Sequence, residues 1–481
     1  MMKKKFFKYL LLFSALFCIT GCNKWLDVKP EDKFIEDQLY SSPQGFAEAM
    51  NGLYLYTASN AMYGRNLTMT TLDVMAQLYS VGNSDQPDLY LMSTYNYEDD
   101  KSKKQIEAIW QGMYTGIANV NKYLQSLDQY GSILDQQALK QYKGEALGLR
   151  AFYYFDLMRM FTKPYTSADS LTQTLPYYDR IGADISDFKP SNFIMQKILA
   201  DLSNAEQLLL ASDPVVGQAR VSKPTQEYGR NVRVYRMNYY AVKALQARVN
   251  LWKGDKATAL TVAKSMIAVQ NKFPWIVQSD LNVSDVSNKI FATEMIFGAE
   301  NSRLPDIFNE YFSPVLFDGK ILAGNTSGTF INATVFENFA NDYRNQYVWK
   351  VAGKPYPTFF KYQTTSNTSF NFNFTVPLIK MSEMYLIAAE CEADMPTALG
   401  YINTLRTKRN ILELPSTTTP AQLSTAIMKE YRKEFYGEGQ LFYYYKRTKA
   451  TSVIAAGSNA ALTISAAKYV LPVPLSETAP R

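Results

Sequence analysis

Met237 to Val269 runs MNYYAVKALQARVNLWKGDKATALTVAKSMIAV, and its spacing decides the fold class. Met237, Ala241, Leu245, Val249 and Trp252 recur every three or four residues and so line one face of a helix. Gly254-Asp255 supplies a turn, and Ala259, Leu260 and Ala263 open a returning helix. The segment is a helical hairpin.

A second unit follows the same plan. Leu386-Ile387-Ala388-Ala389 leads to Asp394-Met395-Pro396-Thr397-Ala398-Leu399 and then to Ile402. Both units carry Asp-x-x-x-Ala-Leu after a helix bearing small residues, so the chain resembles a tetratricopeptide array at these two places, although the tandem 34-residue period is absent. Further helices are expected at Ser42-Pro43 onward, where a cap precedes a first-turn proline, and near 104–127, 137–161 and 192–210. The helix near 137–161 carries Leu147, Ala151, Tyr154, Met158 and Phe161 on one stripe and Phe152, Tyr153 and Phe155 on its other sides. It is expected in the middle of a stack.

Between Phe273 and Pro377 the texture changes to loops and short strands. Asn, Thr, Ser and Gly cluster at 324–329 and 364–368, and Phe370, Phe372 and Phe374 alternate with asparagine, the pattern of a short strand with one aromatic face. The expected class is therefore mainly α, a tetratricopeptide-like helical-hairpin scaffold with an inserted loop-rich region, about 273–377, containing short strands.

The start of the chain is an export signal. Lys3, Lys4, Lys5 and Lys8 precede an apolar run from Tyr9 to Ile19, too short to span a bilayer. The run ends in Ile19-Thr20-Gly21-Cys22, which resembles the bacterial lipobox. The resemblance implies a signal peptide at 1–21, acylation of Cys22, a lipidated tether at 22–40 and a single large body at 41–481. Two acyl chains on one cysteine anchor stably, since each buried methylene contributes about 0.8 kcal/mol.

Composition narrows the chemistry. Removing 1–21 deletes four lysines and no acids, so the formal charge falls from +6 to +2, too little for nucleic-acid binding. Of three cysteines, Cys18 leaves with the signal and Cys22 is acylated, so Cys391 has no intramolecular partner. There is no histidine, which removes Ser-His and Cys-His nucleophiles and HExxH zinc chemistry. Carboxylate-only chemistry, such as glycoside hydrolysis by two acids, is left open.

Several segments resemble the SusD/RagB family of outer-membrane nutrient-binding lipoproteins. They are Leu26-Asp27 with Pro30, Glu294-Met295-Ile296-Phe297, Asp342-Tyr343-Arg344, and Pro377 through Glu390. Ile402-Asn403 with Arg406, Arg432-Lys433-Glu434-Phe435 with Glu438-Gly439, and Leu471-Pro472-Val473-Pro474 complete the series. Gln440 and Tyr444 depart from it, standing where the family usually has Arg and often has Asp. The acids and arginines Glu383, Glu390, Arg406, Arg432 and Glu438 lie beside apolar helix faces and are expected to pair with opposite charge. The resemblance implies a cell-surface protein that performs no catalysis, holds no cofactor or metal, and delivers a glycan or peptide to a SusC-like TonB-dependent transporter. A lipid-anchored glycoside hydrolase and a repeat scaffold that binds only protein are the competing functions.

A sugar site needs rings interleaved with amides and carboxylates. Two stretches have that texture. One is Asp73 to Tyr97, with Gln77, Tyr79, Asn83, Asp85 and Tyr95; the other is Trp275 to Asn325, with Arg303, Tyr311, Phe312, Phe317 and Asp318. The expected ligand residues are Asp73, Gln77, Tyr95, Tyr97, Trp275, Arg303 and Tyr311.

Overall fold

A computed structural model describes residues 36–182, 185–218, 233–282, 288–365 and 372–478. The chain divides into two compact units, Met1–Phe46 and Ala47–Arg481. In the first, Ser42 Oγ accepts the N–H of Gly45 at 3.2 Å, the cap expected before Pro43. The signal peptide, Cys22 and the tether up to residue 35 lie outside the described residues.

In the second unit both hairpins form, and their shared motif has a physical cause. Helix Tyr239–Lys253 stops at Gly254, whose φ of +88° a side chain would resist. Asp255 then caps Lys256–Ile267 by accepting the N–H of Thr258 at 3.1 Å, and Asp394 caps Met395–Lys408 by accepting that of Thr397 at 3.1 Å. Ala259 and Ala398, four residues on from each cap, are fully buried where a larger side chain would hold the helices apart. The motif is a cap followed by a contact.

The two hairpins belong to one stack. Asp100–Tyr130, Gln136–Phe161, Ser191–Leu210, Tyr239–Lys253, Lys256–Ile267, Met381–Cys391 and Met395–Lys408 each pack on the next. Every residue from Gly144 to Phe161 is buried, as a central helix requires. The tandem period is missing because more than a hundred residues separate the fifth helix of the stack from the sixth.

That insertion enters and leaves side by side. Strand Met295–Glu300 pairs antiparallel with Thr375–Lys380, Met295 opposite Lys380 and Glu300 opposite Thr375. The expected strand of alternating phenylalanines does not form where it is described: residues 372–374 are a turn, and Phe370 lies outside the described residues. The strand begins one residue later. Its six residues are all buried, so a nearly continuous apolar run, and not an alternation, marks it.

Ion pairs fasten the insertion to the stack. Arg409, fully buried, donates to Glu294 at 2.8 and 2.6 Å and to Glu434 at 3.0 and 2.8 Å. Lys380 joins Glu434 to Glu438, and Arg344 joins Asp342, Glu430 and Glu434. Four of the five charges expected to pair do so: Glu383 with Arg248, Glu390 with Arg447, Arg406 with Glu430, and Glu438 with Lys361 and Lys380. Arg432 differs, donating to the Tyr445 hydroxyl at 3.1 Å. Gln440 takes a structural place too, its carbonyl accepting from Arg159 at 2.9 Å.

Candidate functional site

The two aromatic stretches meet, though through other residues than those expected. Ser80 donates its N–H to the Ala323 carbonyl at 2.8 Å in an isolated antiparallel bridge, and Gln86 Nε2 donates to the Lys320 carbonyl at 3.0 Å. The approach favours glycine at position 82, where a Cβ would stand 2.9 Å from the backbone carbonyl oxygen of Gly319. The seam thus brings Gly82 to Gln86 against Phe317 to Ala323.

Exposed apolar side chains adjoin this seam. Val315 and Phe317, 87% and 77% exposed, are the most exposed large apolar side chains among the described residues, and Val351, 66% exposed, sits on the loop that approaches Pro314. Leu316 points the other way, packing on the buried cluster of Ile321, Ala323 and Tyr356. The Val351 loop is held close by Gly353, where an added Cβ would lie 3.0 Å from Pro314. Polar groups flank the ridge. Asp318 accepts from Lys354 Nζ and from the Tyr356 hydroxyl, each at 2.7 Å, and the Lys354 bond first, then that of Tyr356, holds its carboxyl below the usual range. Asn83, Asp85 and Lys320 are exposed beside it.

The seven expected ligand residues are spread over separate settings. Asp73 is fully buried, and its two oxygens accept the amides of Gly437 and Gly439 at 2.6 and 3.0 Å. Burial pushes its carboxyl well up, against those two bonds. Gln77 and Tyr95 are buried together: Gln77 Nε2 donates to the Ser93 carbonyl at 2.7 Å and the Tyr95 hydroxyl donates to that of Met75 at 2.6 Å. Tyr97 meets Tyr95 edge-on at 6.5 Å and donates to the Lys468 carbonyl. Tyr311 is buried and accepts from Arg65 at 3.2 Å. Trp275, half-buried, lies 5.0 Å from the Tyr385 ring and 5.3 Å from the Arg409 guanidinium. Arg303 is exposed at the start of helix Leu304–Tyr311.

Most rings of these stretches build core. Tyr79, Phe312, Trp349, Phe359 and Tyr436 form one buried cluster with centroids 4.9 to 6.4 Å apart. Sequence spacing did not mark Val315 or Val351 at all. The only available signal was the run Ser313-Pro314-Val315-Leu316-Phe317-Asp318-Gly319, in which a proline and a glycine bracket apolar residues too few for a strand or helix.

Comparison with known proteins adds the ancestry. A family model described as "Starch-binding associating with outer membrane" matches residues 24–235, and the SusD family model matches 310–469. SusD-like protein P2 of Formosa agariphila is 24% identical over 299 residues, 60% of this chain and 52% of the relative. SusD-like protein P38 of the same organism is 22% identical over 275 residues, 55% and 45%. The match spans about half the length of these curated relatives. Among solved structures, a SusD superfamily protein of Bacteroides thetaiotaomicron superposes with a TM-score of 0.67 at 22% identity, covering 89% of this chain and 96% of that one. Surface glycan-binding protein A of the same species gives 0.64 at 17% identity, covering 91% and 97%.

Proposed function

The chain is a SusD/RagB-like protein, and from that premise we propose that it is a surface lipoprotein, anchored through Cys22 to the outer membrane, that binds an oligosaccharide or polysaccharide and passes it to a SusC-like TonB-dependent transporter. The observation that carries the ligand part is the exposed ridge of Val315, Phe317 and Val351 beside Asn83, Asp85, Asp318 and Lys320. A sugar ring offers a C–H face to the phenyl ring and hydroxyls to the amide, carboxylates and ammonium. Arg303, Tyr97 and Trp275 keep exposed surface and stay within the proposal as outlying contacts. Asp73, Gln77, Tyr95 and Tyr311 are buried and leave the ligand-contacting set.

Binding without cleavage is the expected chemistry. The acids of the family-like segments are held by cations: against the effect of burial, Arg409, Lys380 and Arg344 hold the Glu434 carboxyl well below the usual range, so it has no proton to give a leaving group near neutrality. Among the described residues no helix is long and apolar enough to cross a membrane; the anchor proposed here is the acylated Cys22.

The test is a panel of polysaccharides and peptides, read for binding and for new reducing ends. Glycan binding without reducing ends supports the proposal; reducing ends move the chain to the hydrolases, and peptide binding alone moves it to a peptide carrier. Cys22→Ala is expected to abolish fatty-acid labelling and release the protein from the outer-membrane fraction. Undiminished labelling would remove the anchor assignment.

A further inference from the structure

The carboxylate of Asp318 is held by one oxygen only. The loop between strands Trp349–Lys350 and Thr358–Phe359 runs Val351-Ala352-Gly353-Lys354-Pro355-Tyr356-Pro357. Its two prolines fix their own φ and restrict the residues before them, Lys354 and Tyr356, to extended backbone. Tyr356 is buried in the cluster with Ile321 and Ala323, and only 16% of the Lys354 side chain is exposed. From this stiff support both donate to the same atom, Asp318 Oδ1, at 2.7 Å.

Among the described residues none donates to Asp318 Oδ2, and the Asp318 side chain is 58% exposed. The Lys354 bond, then that of Tyr356, keeps the carboxyl below its usual range, so it is ionised near neutrality. An ionised carboxylate accepts hydrogen bonds and cannot donate them. Whatever meets Oδ2 must therefore bring a hydroxyl or an N–H. The charges flanking the seam, Asp85 and Asp318 against Lys320 and Lys354, cancel, so no net field draws a polyanion to it.

We propose that Asp318 Oδ2 accepts a hydroxyl of a neutral glycan lying on Phe317, that Tyr356 and Lys354 are the positioning residues that hold it there, and that uronate and sulfated chains are disfavoured. A carboxylate or sulfate at that place sets anion against anion and has no proton to share. The inference rests on the ridge reading above and adds to it the charge class of the ligand.

Amylose, galactan and xyloglucan, each titrated beside its carboxymethylated form, test the idea. A neutral chain that binds is expected to weaken about tenfold or more on carboxymethylation, the scale of one hydrogen bond to a charged group. Asp318→Asn should weaken the neutral chain by a similar factor and narrow its advantage over the acidic one. Tyr356→Phe keeps the buried ring and removes the hydroxyl; it should weaken binding alone but add nothing in the Asp318→Asn background, whereas a merely structural role would give additive losses. Equal or tighter binding of the carboxymethylated chains, parent-like binding in a normally melting Asp318→Asn, or additive losses in the double variant would each overturn the proposal. Where Phe317→Ala weakens binding and these variants do not, the ridge reading stands without it; where no neutral chain binds, both fall.

Discussion

Arg409→Ala is expected to lower stability by about 3–5 kcal/mol in a urea denaturation, the scale on which removing one partner of a buried ion pair acts. Arg409 ends the helix Met395–Lys408 and spans Glu294, at the entrance to the insertion, and Glu434, at the end of Pro420–Glu434. Truncation leaves Glu294 fully buried with no remaining cation among its bonds to described residues, and Glu434 with Lys380 and Arg344 only. Two charges then lose compensation at once. Arg409→Lys should recover little, because a single ammonium cannot reproduce four N–H bonds to two carboxylates. The same cluster sets the acid limit. Burial alone would raise Glu434, but Arg409, Lys380 and Arg344 hold it well below its usual 4.5, and Glu430 sits at about 2. Carboxyls depressed by folding stabilise fully above the unfolded value and lose that contribution as pH falls through the folded one. Unfolding is therefore expected to steepen below about pH 4.5, and the Arg409→Ala variant should show a shallower acid slope. A loss under about 1 kcal/mol would mean that solvent reaches these groups and the cluster does not fasten the insertion.

Gly439→Ala is expected to cost about 2–4 kcal/mol, combining left-handed strain with an overpacked contact. Gly439 has φ +71° at the start of helix Gln440–Arg447, and a Cβ there would stand 2.2 Å from the Leu67 carbonyl oxygen, which is backbone and cannot swing away. Its N–H, with that of Gly437, is held by the buried Asp73. Gly254→Ala is the internal control. It has φ +88° but nothing within 4 Å of the added Cβ, so only about 1 kcal/mol should be lost. Equal losses at the two positions would show that the Leu67 contact contributes nothing.

These positions also show what could be read from the chain beforehand. The hairpins at 237–269 and 386–402 were legible because periodicity, caps and small residues are local signals, and helix 137–161 because apolar residues surround it. The stacking of Lys256–Ile267 on Met381–Cys391 was not, since no local pattern tells a helix which distant helix covers it. Texture identified the two stretches that meet at the seam but not the residues that meet. Tyr95 and Tyr311 look the same in sequence whether they face solvent or core, and burial was decided by partners such as Met75 and Arg65.

The central claim, that the seam and its ridge hold the ligand, is tested most directly by Phe317→Ala, measured for binding to the best glycan of the panel and for Tm in the same preparation. Because Phe317 is 77% exposed, the account predicts a loss of about 1–3 kcal/mol in binding, the range of an aromatic anchor, with Tm unchanged. Parent-like binding in a normally melting variant would contradict it.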